Sequence, residues 1–240
     1  MPEDYFAGRV AESYDETSAE MFAQEVIEPV IDFLADLARG GAALELGIGT
    51  GRIALPLARR GVQVHGIDLS PDMVAQLRAK PGGEEIPVTI GDFATTTVGD
   101  VFSLAYVVFN SIMNLRTQDA QLACFQNVAA HLESHGVFVM EIMLPELQRL
   151  PPGETFLPFA VSSDHVGFDE YDVAHQGLTS HHYYPRAGEY VTFHGRYIWP
   201  SELDLMACMA GMSLRERWSG WKREPFRSES TKHVSVWQKP

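Results

Sequence analysis

The chain has 240 residues, a formal net charge of −14 and a sequence pI near 5.0, enough length for one domain with a sizeable core. Such acidity disfavours a phosphate-backbone partner and points to a small-molecule ligand without nucleic acid. Its two cysteines sit in apolar helical patterns, which suits buried thiols in a reducing, cytoplasmic setting. No apolar run approaches a membrane span, and MPEDYFAGRV lacks a basic stretch followed by an apolar one.

Residues 1–15 are polar and aromatic, with Tyr5, Phe6 and Tyr14. By position alone Tyr14 reads as a surface aromatic. A helical pattern follows over residues 18–39, kinked or divided at Pro29 and stopped by Gly40 and Gly41. Residues 1–40 are thus expected to form a helical lid region, with 18–39 covering one sheet face.

The stretch from Ala43 to Arg60, ALELGIGTGRIALPLARR, is the centre of the chain. An apolar run with Glu45 meets Gly47, Gly49 and Gly51, and apolar residues at helical spacing come next: strand, tight loop, helix. Glycine tolerates positive φ and lets the backbone approach a ligand closely. A dinucleotide-binding loop would place its third glycine where Arg52 stands. Val62 to Ile67 reads as the next parallel strand, with Asp68 at its C-terminal end and Ser70-Pro71 opening a helix. An acid there either binds both ribose hydroxyls of a nucleoside or caps the turn. The strand Val88 to Ile90 ends in Asp92 and Phe93. Leu104 to Phe109 reads as a central strand buried on both faces, followed by Asn110 and Asn114. A helix over 117–133 leads to a strand from Gly136 that carries Glu141.

Over residues 145–200 the α/β rhythm breaks into three alternating segments, FDEYDVAH, LTSHHYYP and EYVTFHGRYIWP, with turns at Gln176-Gly177 and Arg186-Ala187-Gly188. This antiparallel insertion is read as a roof over the site or as a homodimer surface. In its last segment Val191, Phe193, Tyr197 and Trp199 share one face, and Tyr190, Thr192, His194 and Arg196 the other. His165, His175, His181, His182 and His194 crowd the insertion. No metal site is expected, because His181 and His182 point to opposite faces and no H-x-x-x-H pair occurs. Ser201 and Asp204 suggest a capping box for a helix over 201–211. Strands over 213–219 and 232–238 close the chain, joined by WKREPFRSES, long enough to reach across a pocket mouth.

In order and spacing, the features from residue 43 to residue 114 resemble motifs I to IV of the class I S-adenosylmethionine (SAM) dependent methyltransferases. That resemblance implies a single-domain Rossmann-like fold, a seven-stranded mostly parallel sheet with helices on both faces and an antiparallel insertion before the last helix. It implies SAM as cofactor and S-adenosylhomocysteine as product. The glycine loop with Glu45 and Arg52 would run under the methionine half and Asp68 would hold the ribose. Leu69, Met73, Asp92 and Phe93 would meet the adenine, Asn110 would sit near the transferable methyl, and Tyr14 would close over the cofactor. The insertion and the N-terminal Tyr-Asp resemble amino-sugar N-methyltransferases and related tailoring enzymes of bacterial natural-product pathways. Methyl transfer to N or O of a small molecule is the expected activity, with His182 and Glu141 as candidate general bases by type and position. A non-catalytic SAM-binding regulator or scaffold is the alternative.

Overall fold

Side chains of the strand Phe102–Val107 alternate between two buried layers: Ala105 and Val107 face one apolar cluster, Leu104 and Tyr106 the other. This is the middle of the sheet. The computed structural model describes residues 6–240; residues 1–5, with Tyr5 and the start of the expected lid region, lie outside it.

In chain order the described elements are α1 (Arg9–Thr17), α2 (Gln24–Ala38), β1 (Ala43–Leu46), α3 (Ala54–Arg59), β2 (Val64–Asp68), α4 (Pro71–Arg78), β3 (Val88–Ile90), β4 (Phe102–Val107), α5 (Gln118–His131) and β5 (Leu132–Met143). The insertion follows as β6 (Phe156–Val161), β7 (Val166–Asp172), β8 (Gly177–Tyr184) and β9 (Glu189–Arg196). The chain ends with α6 (Pro200–Met209), β10 (Ser213–Trp218) and β11 (Lys232–Gln238). The described residues form a seven-stranded sheet in the order β10-β11-β5-β4-β1-β2-β3 and a four-stranded sheet in the order β6-β7-β8-β9. Pairing is parallel from β3 through β5, and β11 runs antiparallel to both of its neighbours. The order reverses between β1 and β4, and a ligand crevice in such sheets opens at that switch, outside the strands' carboxyl ends.

The expected α/β core and insertion are thus present, with local corrections. The insertion has a fourth strand, β6, that alternation does not reveal. α2 runs through Pro29 without a break; the division falls earlier, at extended Ala23. Ser201 does not cap α6. Pro200 occupies the first turn, where its missing N–H costs nothing. Asp204 instead accepts from Arg217 at 2.6 and 3.1 Å and from the Trp237 indole at 2.9 Å. Cys208 lies exposed on α6, on the side away from buried Leu203, Met206 and Ala207, whereas Cys124 is buried. β9 ends at Arg196, whose buried guanidinium bonds Gln121, Gln176 and Glu202. The loop after β10 folds back on α2: Trp221 and Arg223 both pack on Phe33, and Arg223 pairs with Asp36. It does not span the mouth of the main cleft.

Candidate active site

A cavity of about 370 Å3 opens at the carboxyl ends of β1, β2 and β4, within the size range of small-ligand sites. Its floor is the loop after β1. Gly49 has φ 54°, and a Cβ there would stand 3.3 Å from the Met73 methyl, so glycine keeps both the turn and the space beside Met73. Asp68 holds this loop: its carboxylate accepts from Gly49 N at 2.6 Å and from Ser70 N at 2.9 Å. Ser70 caps α4, accepting from Met73 N at 3.4 Å, and its hydroxyl donates to Phe6 O at 3.1 Å. Strand end, glycine loop and helix start therefore converge on one carboxylate, and Ser70 ties the N-terminal segment to the same turn.

Glu45 sits behind the loop, 3% exposed, and accepts from the Tyr106 hydroxyl at 2.9 Å. Burial pushes its pKa up to about 8 against the pull of that hydroxyl and of Arg52. Burial and Glu45 push the Tyr106 hydroxyl well above its ordinary range. The Arg52 guanidinium lies 5.0 Å from the Phe109 ring centroid. At the far wall Asp92 accepts from Ala94 N at 2.9 Å, and Asn127 holds the backbone on either side by donating to Phe93 O and Thr96 O at 3.0 and 2.8 Å.

α1 borders the cavity. Tyr14 lines it and meets Phe6 edge-on at 6.1 Å, and burial raises its phenol pKa. Asp15 latches the helix to the floor by accepting from the Thr50 hydroxyl at 2.6 Å and pairing with Lys80. Gly8 N donates to Asp72 at 2.7 Å, and Arg9 reaches Glu189 of the insertion at 2.9 Å. From the insertion, Phe193 of β9 lines the cavity, and Gly195 packs against Met113.

Tyr14, Glu45, Gly47, Gly49, Arg52, Asp68, Leu69, Met73, Asp92 and Phe93 thus line one cavity. Gly51 and Asn110 do not. Gly51 (φ 79°) lies behind the loop, where a Cβ would strike Leu77. Asn110, in the left-handed region, accepts from Met143 N at 2.7 Å and ties β4 to the end of β5. Neither proposed base lines the cavity. The Glu141 carboxylate is taken up by Phe109 N at 3.3 Å, the Trp221 indole at 3.0 Å and Lys232 at 3.2 Å. The His182 ring stacks on His165, 5.2 Å between centroids, with their ring nitrogens 3.0 Å apart, and packs on Phe159. Burial, His165 and His181 lower its pKa. Among the described residues no group of three His, Cys, Asp or Glu could hold a metal ion. Phe6, Ser111, Arg116 and Thr117 also line the cavity although no motif marks them; the turn after Asn110 and its polar residues are the only sequence trace.

A family model described as a methyltransferase domain matches residues 43–136. Among solved structures, the CcbJ methyltransferase from Streptomyces caelestis is 36% identical, with a TM-score of 0.78 and coverage of 88% of each chain. SAM-bound CalS10, an amino pentose methyltransferase from Micromonospora echinaspora, shares the fold at 21% identity, with a TM-score of 0.73 over 98% of each chain. A dTDP-3-amino-3,6-dideoxy-alpha-D-glucopyranose N,N-dimethyltransferase from Streptomyces fradiae is 27% identical over 143 residues, 58% of this chain and 55% of that protein. The chain spans 60% and 55% of the lengths of two curated relatives that it matches.

Proposed function

The chain belongs to the SAM-dependent methyltransferases, and we propose that it methylates N or O of a small molecule, an intermediate of natural-product metabolism. The observation that carries this reading is the convergence of the glycine loop, Asp68, Asp92 and Tyr14 on one cavity at the strand ends. The residues fit the cofactor. Gly47 and Gly49 leave room for a backbone-lined cradle, the remaining lone pairs of the Asp68 carboxylate would take the ribose hydroxyls, and Leu69, Met73 and Phe93 would give apolar walls beside an Asp92 acceptor for an adenine. Glu45 and Arg52 stand at the methionine end, where Tyr14 and Phe6 shut out water.

When bound, SAM supplies a methyl group already activated on a sulfonium. The chain's own task is then alignment and exclusion of water: the latched α1 and the roof close the cavity, and Phe193 with Asn114 borders the space left for the acceptor. With Glu141 and His182 engaged elsewhere, neither is retained as the base. The named relatives that act on amino sugars support an acceptor of that size. The free, exposed thiol of Cys208 suits a reducing cytoplasm, and the acidic charge suits an enzyme that meets its acceptor without nucleic acid. No helix among the described residues is long and apolar enough to cross a membrane.

The test is a screen of small amines, phenols and carboxylic acids for SAM-dependent mass gain. A methylated product in any class supports the reading. SAM binding without turnover across all three classes would make the chain a binder.

A further inference from the structure

Past the carboxyl end of β4 the chain runs Val108-Phe109-Asn110-Ser111, and Phe109 and Asn110 both hold positive φ, 55° and 62°. Asparagine adopts that region readily. A bulky phenylalanine is an outlier there and stays only where its surroundings fix it. The fixing contacts come from the end of β5. The Glu141 carboxylate accepts from Phe109 N at 3.3 Å, the Glu141 carbonyl from Asn110 N at 3.4 Å, and Asn110 Oδ1 from Met143 N at 2.7 Å. Glu141 is held in turn from behind, where Trp221 and Lys232 donate to its other carboxylate oxygen at 3.0 and 3.2 Å. Its side chain is 13% exposed and does not line the cavity, but Phe109 does.

The same turn borders the cavity floor: a Cβ on Gly47 would stand 3.5 Å from the Ser111 Cβ. Phe109 offers its ring to the guanidinium of another cavity-lining residue, Arg52, 5.0 Å from the ring centroid. A ring has two faces, and one guanidinium covers only one of them. The other aromatic residues near the floor are engaged differently, Phe6 and Tyr14 edge-on with each other and Phe93 beside Asp92 at the far wall. Of the cavity acids, Glu45 is bonded to Tyr106 and Asp68 to the amides of Gly49 and Ser70. SAM differs from its product by one methyl group and one positive charge, both at sulfur. An aromatic face attracts an onium charge through its quadrupole and needs no ion pair to do so.

We propose that the Phe109 ring meets the cationic sulfonium of bound SAM, and that Glu141 is a positioning residue that holds Phe109 in place through its backbone amide. The attraction acts on the charged cofactor and is lost with the neutral product, so it favours replacement of S-adenosylhomocysteine by SAM after turnover. This rests on SAM being the cofactor.

The experiment is isothermal titration of the full chain with SAM and with S-adenosylhomocysteine, read as the ratio of the two affinities. The ligands share every other group, so a general loosening of the site weakens both and leaves the ratio unchanged. Phe109→Leu keeps apolar bulk and removes the π face; it should weaken SAM about fivefold and S-adenosylhomocysteine less than about twofold. Phe109→Tyr should keep the wild-type ratio. Glu141→Ala should lower the ratio about as much as Phe109→Leu, and Glu141→Gln, with one acceptor oxygen left, should fall in between. If Glu141→Ala does not fold, Glu141→Gln carries the same comparison. Phe109→Leu combined with Glu141→Gln should give the ratio of Phe109→Leu alone, because Glu141 acts through the ring. An unchanged ratio in Phe109→Leu, or equal weakening of both ligands, would overturn the sulfonium contact. Losses that add in the double variant, or Glu141 variants that weaken both ligands alike, would overturn the positioning role. Absence of binding of either ligand by the wild type would instead overturn SAM as the cofactor.

Discussion

Replacing Glu45 by Gln should remove a pH dependence of folding that the wild-type chain carries when no cofactor is bound. The Glu45 carboxyl is buried against Tyr106, and its pKa rises from 4.5 to about 8. Between those values the folded chain keeps a proton that the unfolded chain has released. Stability is therefore greatest at the acid end of this window and falls as pH rises through it. At about 1.4 kcal/mol per unit, the shift sets a ceiling on the order of 5 kcal/mol for the loss from one end to the other. Gln has the same shape, stays neutral and can accept the Tyr106 hydroxyl, so the variant should lose little over the same range. Guanidinium denaturation of both proteins at several pH values between 5 and 8.5 measures the difference. The variant should gain on wild type by several kcal/mol, or roughly 2 to 4 °C in melting temperature for each kcal/mol. Parallel pH curves would refute the assignment of Glu45 as a buried neutral acid.

Gly51→Ala should cost about 1 to 3 kcal/mol in chemical denaturation, because its φ of 79° disfavours a Cβ that would also meet Leu77 and Leu55. Asp204→Ala should cost about 2 to 4 kcal/mol in the same assay, since it leaves the indole N–H of fully buried Trp237 without its acceptor and Arg217 without its carboxylate. Asp15→Ala should free α1 from Thr50 and Lys80, read as faster amide hydrogen exchange over residues 9–17 with little change in β4 and β5.

The parts of this molecule that local sequence encodes are those whose physics is local. The glycine loop, the acids at the ends of β2 and β3, and the both-faces-buried β4 are specified within a few residues. Strict alternation groups Phe193 with Val191 on one face of the insertion, and Phe193 lines the cavity. β6 has no alternating signature because FLPFAV contains Pro158 and a register shift beside it. Glu141 and Asp204 are not legible locally for a different reason. Their partners, Trp221 and Lys232 for the one, Arg217 and Trp237 for the other, arrive from later strands and loops, and no short-range pattern announces them. His182 illustrates the same limit within the insertion. Residue type favours the histidine as a functional group, but the strand register gives it a histidine partner.

Isothermal titration with SAM and S-adenosylhomocysteine, on wild type and on Asp68→Ala, tests the central claim most directly. The account predicts micromolar dissociation constants for wild type, about −8 kcal/mol. In Asp68→Ala it predicts a loss of about a hundredfold or more, because the proposed ribose acceptor and the Gly49 tie disappear together. No heat with either ligand, accompanied by binding of NAD, would contradict it.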